Sequence, residues 1–142
     1  MKILQDTLRE EFGKQNIVRT KLPTYFASSL NPMMKLRPYQ EECFRYFMTY
    51  WQNTFDAKEL KPHLLFHMAT GSGKTIIMAG VMLYLYEQGY RNFLFFVDST
   101  NIIEKTKDNF INTVSLKYLF SRTINISNKQ VEIRLVDNFQ SV

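Results

Sequence analysis

The decisive stretch of this sequence is Met68-Ala69-Thr70-Gly71-Ser72-Gly73-Lys74-Thr75, which holds two of the five glycines of the chain. Before it, residues 63–68 form a short apolar run typical of a buried strand. After it, residues 74–88 predict a helix with an almost wholly apolar surface, and Gly89 stands at its C-terminal stop. A strand, a glycine-rich loop and a helix in this order are the context of a phosphate-binding loop.

The residue types of this loop suit a nucleoside triphosphate with Mg²⁺. Gly71 and Gly73 let backbone N–H groups turn toward anionic oxygens at a helix N-terminus. Lys74 would reach the β- and γ-phosphates, and the Thr75 hydroxyl would bind the Mg²⁺ that bridges them. The general pattern has Gly where this chain has Met68, and the alternative is a chance Gly-Ser-Gly linker before a helix. The predicted ATP-binding residues are Thr70, Gly71, Ser72, Gly73, Lys74 and Thr75.

The pattern around the loop predicts an α/β fold. Residues 93–97 are unbroken apolar and 131–136 alternate, so both predict strands, and 101–113 predict a helix between them. Strand, helix, strand, helix, strand indicates right-handed crossovers. We therefore expect a mostly parallel sheet flanked by helices, with the phenylalanines of 93–97 in the core.

The segment before the glycine loop shows a different pattern, with breaks near the N-terminus and one amphipathic helix. Residues 1–35 are broken at Pro23 and at Asn31-Pro32, which predicts an irregular N-terminal arm with one short helix near Leu4–Phe12. From Pro38 an amphipathic helix is predicted that ends near Asn53. We expect an arm over 1–35 and an ATP-binding domain over 36–142.

The composition limits the number of domains and the kinds of site that the chain can form. With 142 residues and 45% hydrophobic content, the chain has room for one domain. Its net charge of +5 is compatible with a nucleic-acid partner. Cys43 is the only cysteine, which excludes an intrachain disulfide and a Cys-based zinc site. The longest mostly apolar run, 76–86, is too short for a membrane span, so we expect a soluble protein without a membrane partner. The single cysteine fits a reducing cytoplasm.

Three segments, in order, resemble the opening of a superfamily-two DEAD/DEAH-like helicase motor. Leu36-Arg37-Pro38-Tyr39-Gln40 resembles the adenine-reading glutamine element, 68–75 resembles motif I, and Val97-Asp98-Ser99-Thr100-Asn101 resembles motif Ia. More narrowly, the three segments look like the motor of the Res subunit of type III restriction enzymes. The resemblance covers about 36–110, and motif I alone is highly specific.

The resemblance implies roles for residues outside the loop. Gln40 would hydrogen-bond the adenine edge, with Arg37 and Tyr39 flanking the base. The alternatives are a solvated Gln40 in the first helical turn and Tyr39 as a core residue. A second group would lie near a nucleic-acid backbone or, alternatively, would cap a helix; it consists of Ser99, Thr100 and Asn101.

The resemblance also implies a RecA-like P-loop NTPase domain that uses ATP and Mg²⁺ in a restriction endonuclease. In the family, ATP-dependent translocation on double-stranded DNA is coupled to cleavage, with a methyltransferase (Mod-type) subunit as partner. The chain lacks the Asp-Glu box, the second RecA-like domain and any nuclease motif, so we expect a fragment with a partial domain.

Hydrolysis needs an acidic Mg²⁺ ligand, for which the chain offers weak candidates. Asp98 follows 93–97 and Asp137 follows 131–136, and neither is followed by a second acid. Both are alternatively ordinary strand-end residues or helix caps. Two other functions therefore stay open: a small P-loop kinase with Asp98 as metal carboxylate, and a non-catalytic remnant.

Overall fold

The computed structural model describes residues 3–136. Over these residues the chain forms helices and one two-stranded antiparallel sheet. The helices are α1 (Leu4–Phe12), α2 (Lys14–Arg19), α3 (Thr24–Ser29), α4 (Pro38–Gln52), α5 (Lys74–Glu87) and α6 (Thr100–Phe110), and the strands are β1 (Ile124–Ile126) and β2 (Lys129–Val131).

The chain divides into two compact units. Over the described residues, the first consists of 3–22 together with Leu36–Ile77, and the second consists of Pro23–Lys35 together with 78–136. Helix α5 therefore begins in the first unit and continues in the second.

The first unit is built on helices α1, α2 and α4. Its buried cluster consists of Leu8, Ile17, Tyr46 and Tyr50, and Phe12, Phe55 and Leu64 pack around it. Phe55 makes edge-on ring contacts with Phe12 and Tyr50, each with centroids 5.8 Å apart. These contacts join α1 and the segment after α4 to α4 itself.

Helix α4 begins where the sequence predicted. Pro38 occupies its first turn, where the missing N–H costs nothing. The side chain of Gln40 accepts a hydrogen bond of 2.9 Å from the backbone N–H of Arg37, which satisfies a donor at the start of the helix. The apolar face that begins at Phe44, which is fully buried, fixes the rotation of this helix about its axis.

The segment 63–69 leads into the glycine loop. Along 63–69 exposure alternates, with Leu64, Phe66 and Met68 half-buried. The ring of Phe66 packs against Phe47 of α4, with centroids 6.1 Å apart. One face of this segment is thus held by the first unit, as the period-two pattern of extended backbone requires.

The second unit packs α3 against β1 and the loop before it. Leu30 forms an isolated antiparallel bridge with Phe120, and the side-chain amide of Asn31 donates to the Tyr118 carbonyl at 2.6 Å. The buried hydroxyl of Ser29 donates to the carbonyl of Asn125 at 3.1 Å. A buried hydroxyl with a partner avoids the desolvation penalty, so this contact stabilises the unit.

The two strands form a hairpin closed by Ser127 and Asn128. Both residues have positive φ, 50° and 61°, as a tight two-residue turn between antiparallel strands demands. The register pairs Ile124 with Val131 and Ile126 with Lys129. Ile124 and Ile126 are buried on one face, while Asn125 between them is exposed.

The strand predictions differ from the structure. No strand forms at 63–68 or at 93–97, and of 131–136 only Val131 belongs to a strand. The predicted parallel sheet is therefore not confirmed, because over residues 3–136 backbone strand pairing is confined to the hairpin and the Leu30 bridge. The prediction that the phenylalanines of 93–97 are core residues was wrong, since Phe93, Phe95 and Phe96 are 38%, 44% and 84% exposed.

The helix predictions are largely confirmed. Helices α1, α4 and α5 begin and end within about a residue of their predicted bounds, and α6 ends at Phe110 rather than near Thr113. Helices α2 and α3 were not predicted, so the segment 1–35 is more regular than expected. Its separation from 36–142 as a functional arm stays a prediction. Over 3–136, every helix falls short of the length and apolarity needed to cross a membrane.

Candidate nucleotide site

The glycine loop turns sharply between the extended segment and helix α5. Gly71 and Gly73 have positive φ of 79° and 83°, a backbone conformation that L side chains adopt at a cost. Ser72 closes the turn, because its N–H donates to the Ala69 carbonyl at 3.2 Å and its hydroxyl donates to the same oxygen at 2.6 Å. The chain then enters α5 at Lys74.

Lys74 lies across this turn. Its ammonium group donates to the backbone carbonyls of Met68 and Ala69, both at 3.0 Å. The side chain is exposed, so these bonds hold the cation at the loop while leaving it open to solvent. Thr75 follows it in the first turn of α5 and is half-buried.

The structure brings the glutamine element onto the loop. Gln40 Nε2 donates to the Ser72 carbonyl at 2.8 Å, and the hydroxyl of Tyr39 donates to the same oxygen at 2.8 Å. Arg37 Nη1 donates to the Tyr39 hydroxyl at 3.2 Å. Two residues in the first turn of α4 therefore donate to one carbonyl of the loop, and Arg37 bonds one of the two.

The exposures of Gln40 and Tyr39 exclude one alternative interpretation of each residue. Gln40 is 5% exposed, so its reading as a solvated first-turn residue was wrong. Tyr39 is 43% exposed, so its reading as a core residue was also wrong. The predicted contacts of Gln40, Tyr39 and Arg37 with adenine stay predictions.

Gly73 and Gln40 approach each other closely. A Cβ atom built on Gly73 would collide with Nε2 of Gln40, whereas one built on Gly71 would meet nothing within 4 Å. The absence of a side chain at residue 73 is therefore what lets the Gln40 amide reach the loop.

The candidates of the 97–101 segment lie in the second unit. Asp98, Thr100 and Asn101 are exposed, and Ser99 is the N-cap residue of α6. The Ser99 carbonyl accepts hydrogen bonds from the N–H groups of Ile102 and Ile103, at 3.1 and 3.2 Å. Its hydroxyl makes no capping hydrogen bond, so side-chain capping does not account for a serine at this position.

The structure offers no preformed metal cluster in the part of the chain that it describes, since no three His, Cys, Asp or Glu side chains are grouped there. Asp137 lies outside the described residues. Asp98 as the Mg²⁺ carboxylate and Thr75 as the hydroxyl that binds a phosphate-bound Mg²⁺ both stay predictions.

Comparison with known proteins decides the family. Residues 33–140 match the family model of the type III restriction enzyme, res subunit. This chain belongs to that family. The Res family carries a P-loop NTPase-like fold, which agrees with the loop and helix α5. The match begins just before the glutamine element, so both segments that meet at Ser72 lie inside the Res region.

A curated relative supports this membership. Over 84 residues the Res-family chain is 48% identical to a probable type III restriction-modification enzyme HindVIP Res subunit from Haemophilus influenzae. The matched region is 59% of this chain and 16% of the relative. No solved structure matches the chain.

Proposed function

We propose that this chain is the ATP-binding portion of the DNA-translocating motor of a restriction endonuclease, in which ATP hydrolysis drives movement on double-stranded DNA before cleavage. The observation that carries the proposal is the glycine loop, with Gly71 and Gly73 at positive φ and Lys74 at the start of α5. A loop of this kind presents backbone N–H groups and a helix N-terminus to an anion.

Nucleotide binding changes the partners of Lys74. In the structure its ammonium group is held by two neutral carbonyls at 3.0 Å. Charge-assisted hydrogen bonds to phosphate oxygens are about twice as strong as bonds between neutral groups, so a triphosphate competes well for this cation. Thr75 would hold Mg²⁺ through its hydroxyl, and the ion would neutralise charge on the β- and γ-phosphates.

The side-chain amide of Gln40 has hydrogen-bonding groups left for an adenine base. A primary amide has two N–H donors and two acceptor lone pairs, and its contacts with Arg37 and Ser72 use one of each. The remaining donor and acceptor would read the adenine edge, beside the exposed side chains of Arg37 and Tyr39.

The wider proposal follows from family membership. It includes a RecA-like parallel sheet in the full-length protein, DNA contacts from Ser99, Thr100 and Asn101, and a Mod-type methyltransferase partner. The net charge of +5 supports a polyanionic substrate. Asp98 would serve as the metal carboxylate if hydrolysis occurs within this chain.

The test is nucleotide binding by Lys74→Ala. We expect the affinity for Mg²⁺–ATP, measured by calorimetry, to fall by at least about tenfold because a charged hydrogen bond to phosphate is lost. Lys61→Ala, at another exposed lysine of the first unit, is the matched control and should leave affinity unchanged. Equal affinity of Lys74→Ala and the unaltered chain would overturn the assignment.

Duplex DNA distinguishes the motor from its alternatives. In a longer Res-family protein that contains this region, ATP turnover stimulated by duplex DNA supports the motor. Phosphate transfer to a small molecule without DNA dependence supports a kinase instead. Nucleotide binding without turnover in either condition supports a non-catalytic remnant.

A further inference from the structure

The carbonyl oxygen of Ser72 is held by two side chains of the glutamine element. Tyr39 Oη and Gln40 Nε2 both donate to it at 2.8 Å. A carbonyl oxygen has two lone pairs, so these two bonds fill its usual capacity. The Ser72–Gly73 peptide is therefore tied to the start of α4 from one side.

Fixing this carbonyl also fixes an amide. In a trans peptide the C=O of one residue and the N–H of the next point in opposite directions in one plane, and no cis peptide occurs over 3–136. The N–H of Gly73 must therefore point away from Tyr39 and Gln40. Gly73 is the last loop residue before α5, where N–H groups would meet a phosphate.

Tyr39 is itself held in place by a third residue. Arg37 Nη1 donates to its hydroxyl at 3.2 Å while that hydroxyl donates to Ser72. A hydroxyl that accepts from a cation becomes a better donor, because hydrogen bonds in a chain polarise one another. The bond from Tyr39 to the loop is thus strengthened by Arg37.

We propose that Tyr39 is a positioning residue for the phosphates: its hydroxyl orients the Ser72–Gly73 peptide so that the Gly73 N–H faces the bound anion. This inference rests on the proposed nucleotide site, and it differs from the base-flanking role that the family resemblance implies for Tyr39. A base-flanking ring acts only on ligands that have a base. A residue that orients the peptide acts on any polyphosphate.

Tyr39→Phe separates the two roles. It keeps the half-exposed ring and removes the hydroxyl, while Gln40 still satisfies the Ser72 carbonyl, so the fold is retained. We expect the affinity for Mg²⁺–tripolyphosphate and for Mg²⁺–ATP to fall by the same factor, roughly 3- to 10-fold, as loss of one hydrogen bond predicts. Calorimetry measures both ligands, and Tyr90→Phe, 50% exposed and in the second unit, is the matched control.

A second readout is independent of ligand affinity. In Tyr39→Phe the backbone amide resonance of Gly73 should shift in a nitrogen–proton correlation spectrum, because its peptide loses one of its two anchors. The Gly71 amide, whose own peptide carbonyl is not bonded by Tyr39, is the internal reference. An unshifted Gly73 amide contradicts the proposed orientation of the peptide.

The outcomes for the two proposals differ. If the unaltered chain binds neither ligand, the nucleotide site fails and the role of Tyr39 fails with it. If the unaltered chain binds both and Tyr39→Phe loses affinity for ATP alone, the Tyr39 hydroxyl acts on the nucleoside part of ATP and the positioning role is overturned. If Tyr39→Phe binds both ligands as tightly as the unaltered chain, the positioning role of the hydroxyl is overturned and the nucleotide site stands.

Discussion

Gln40 lies against Gly73 so closely that a single added carbon atom on Gly73 would collide with its side-chain amide. The amide is buried and bonded to Ser72, so it has little freedom to move aside. The contact joins the start of α4 to the start of α5 across 33 residues of sequence. It also makes residue 73 sensitive to substitution in a way that residue 71 is not.

The first prediction compares Gly73→Ala with Gly71→Ala. Both residues have similar positive φ, 83° and 79°, so each alanine should cost about 1–2 kcal/mol in backbone strain. Gly73→Ala should cost a further amount of about 1 kcal/mol or more, because it also displaces Gln40. Urea unfolding of the two variants measures the difference in the free energy of unfolding. In a Gln40→Ala background the difference should disappear, and a difference that persists there would contradict the collision.

The second prediction concerns Gln40→Glu. The carboxylate can still accept from the Arg37 N–H, but it cannot donate to the Ser72 carbonyl and faces it with negative charge. We expect the free energy of unfolding at pH 8 to fall by about 1–3 kcal/mol. Gln130→Glu, at an exposed residue of β2, is the matched control and should change it little.

The same variant has a predicted pH dependence. Burial and the nearby carbonyl raise the pKa of the introduced carboxyl, so its folded form binds a proton more tightly than its unfolded form. The loss in the free energy of unfolding, relative to the unaltered chain, should therefore shrink as pH falls toward 4, where the protonated carboxyl can donate to the Ser72 carbonyl. A deficit that grows as pH falls would show that residue 40 does not donate to the loop.

The third prediction separates capping from DNA contact at Ser99. Because its hydroxyl makes no capping bond, Ser99→Ala should change the free energy of unfolding by less than about 0.5 kcal/mol. Ser29→Ala removes a buried hydroxyl bonded to Asn125 in the same unit and should cost about 1–2 kcal/mol. If Ser99 contacts the DNA backbone, its alanine variant should weaken duplex binding, measured by fluorescence anisotropy, without a loss of stability.

The fourth prediction concerns the single thiol. Burial raises the pKa of Cys43 to about 11, so the folded chain holds this proton more tightly than the unfolded chain. Alkylation by iodoacetamide at pH 8 should be slow in the folded chain and much faster in denaturant, since the thiolate is the reactive form. The raised pKa of Cys43 contributes to the free energy of unfolding below the ordinary pKa of a thiol. This contribution is lost as pH rises through about 11. Equal rates at pH 8 in both states would contradict a shielded thiol.

Local patterns predicted the longer helices and missed the shorter ones. Helices α1, α4, α5 and α6 each carry enough turns for their apolar period or terminal residues to identify them. Helices α2 and α3 have 6 residues each, too few for a period to be read. Their place in the fold comes from tertiary contacts, such as that of Ser29 with Asn125.

Strands were harder to predict because a strand is defined by its partner. The apolar runs at 63–68 and 93–97 form no strand and no backbone pairing. The hairpin was missed, although Ile124 and Ile126 alternate with a polar residue and Asn128 tolerates positive φ. That alternation before a two-residue polar turn was the available signal.

The sequence predicted one part of the candidate site and missed another. The loop and its lysine are contiguous, so the sequence alone placed Thr70 to Thr75 together. The convergence of Tyr39 and Gln40 on Ser72 spans more than 30 residues, and no spacing rule predicts it. Tertiary packing, such as the contact of Phe47 in α4 with Phe66 before the loop, accompanies this convergence and is not visible in local sequence.

Three packed aromatic rings connect α4 with the segment before the glycine loop, and one of them is an intrinsic fluorophore. Trp51 is the single tryptophan, and its indole packs on Phe47 at 5.8 Å between centroids, while Phe47 also packs on Phe66 just before the loop. Indole emission depends on the polarity and mobility of its surroundings. Ultraviolet fluorescence of the unlabelled chain should therefore register any rearrangement that a nucleotide transmits from the loop into α4.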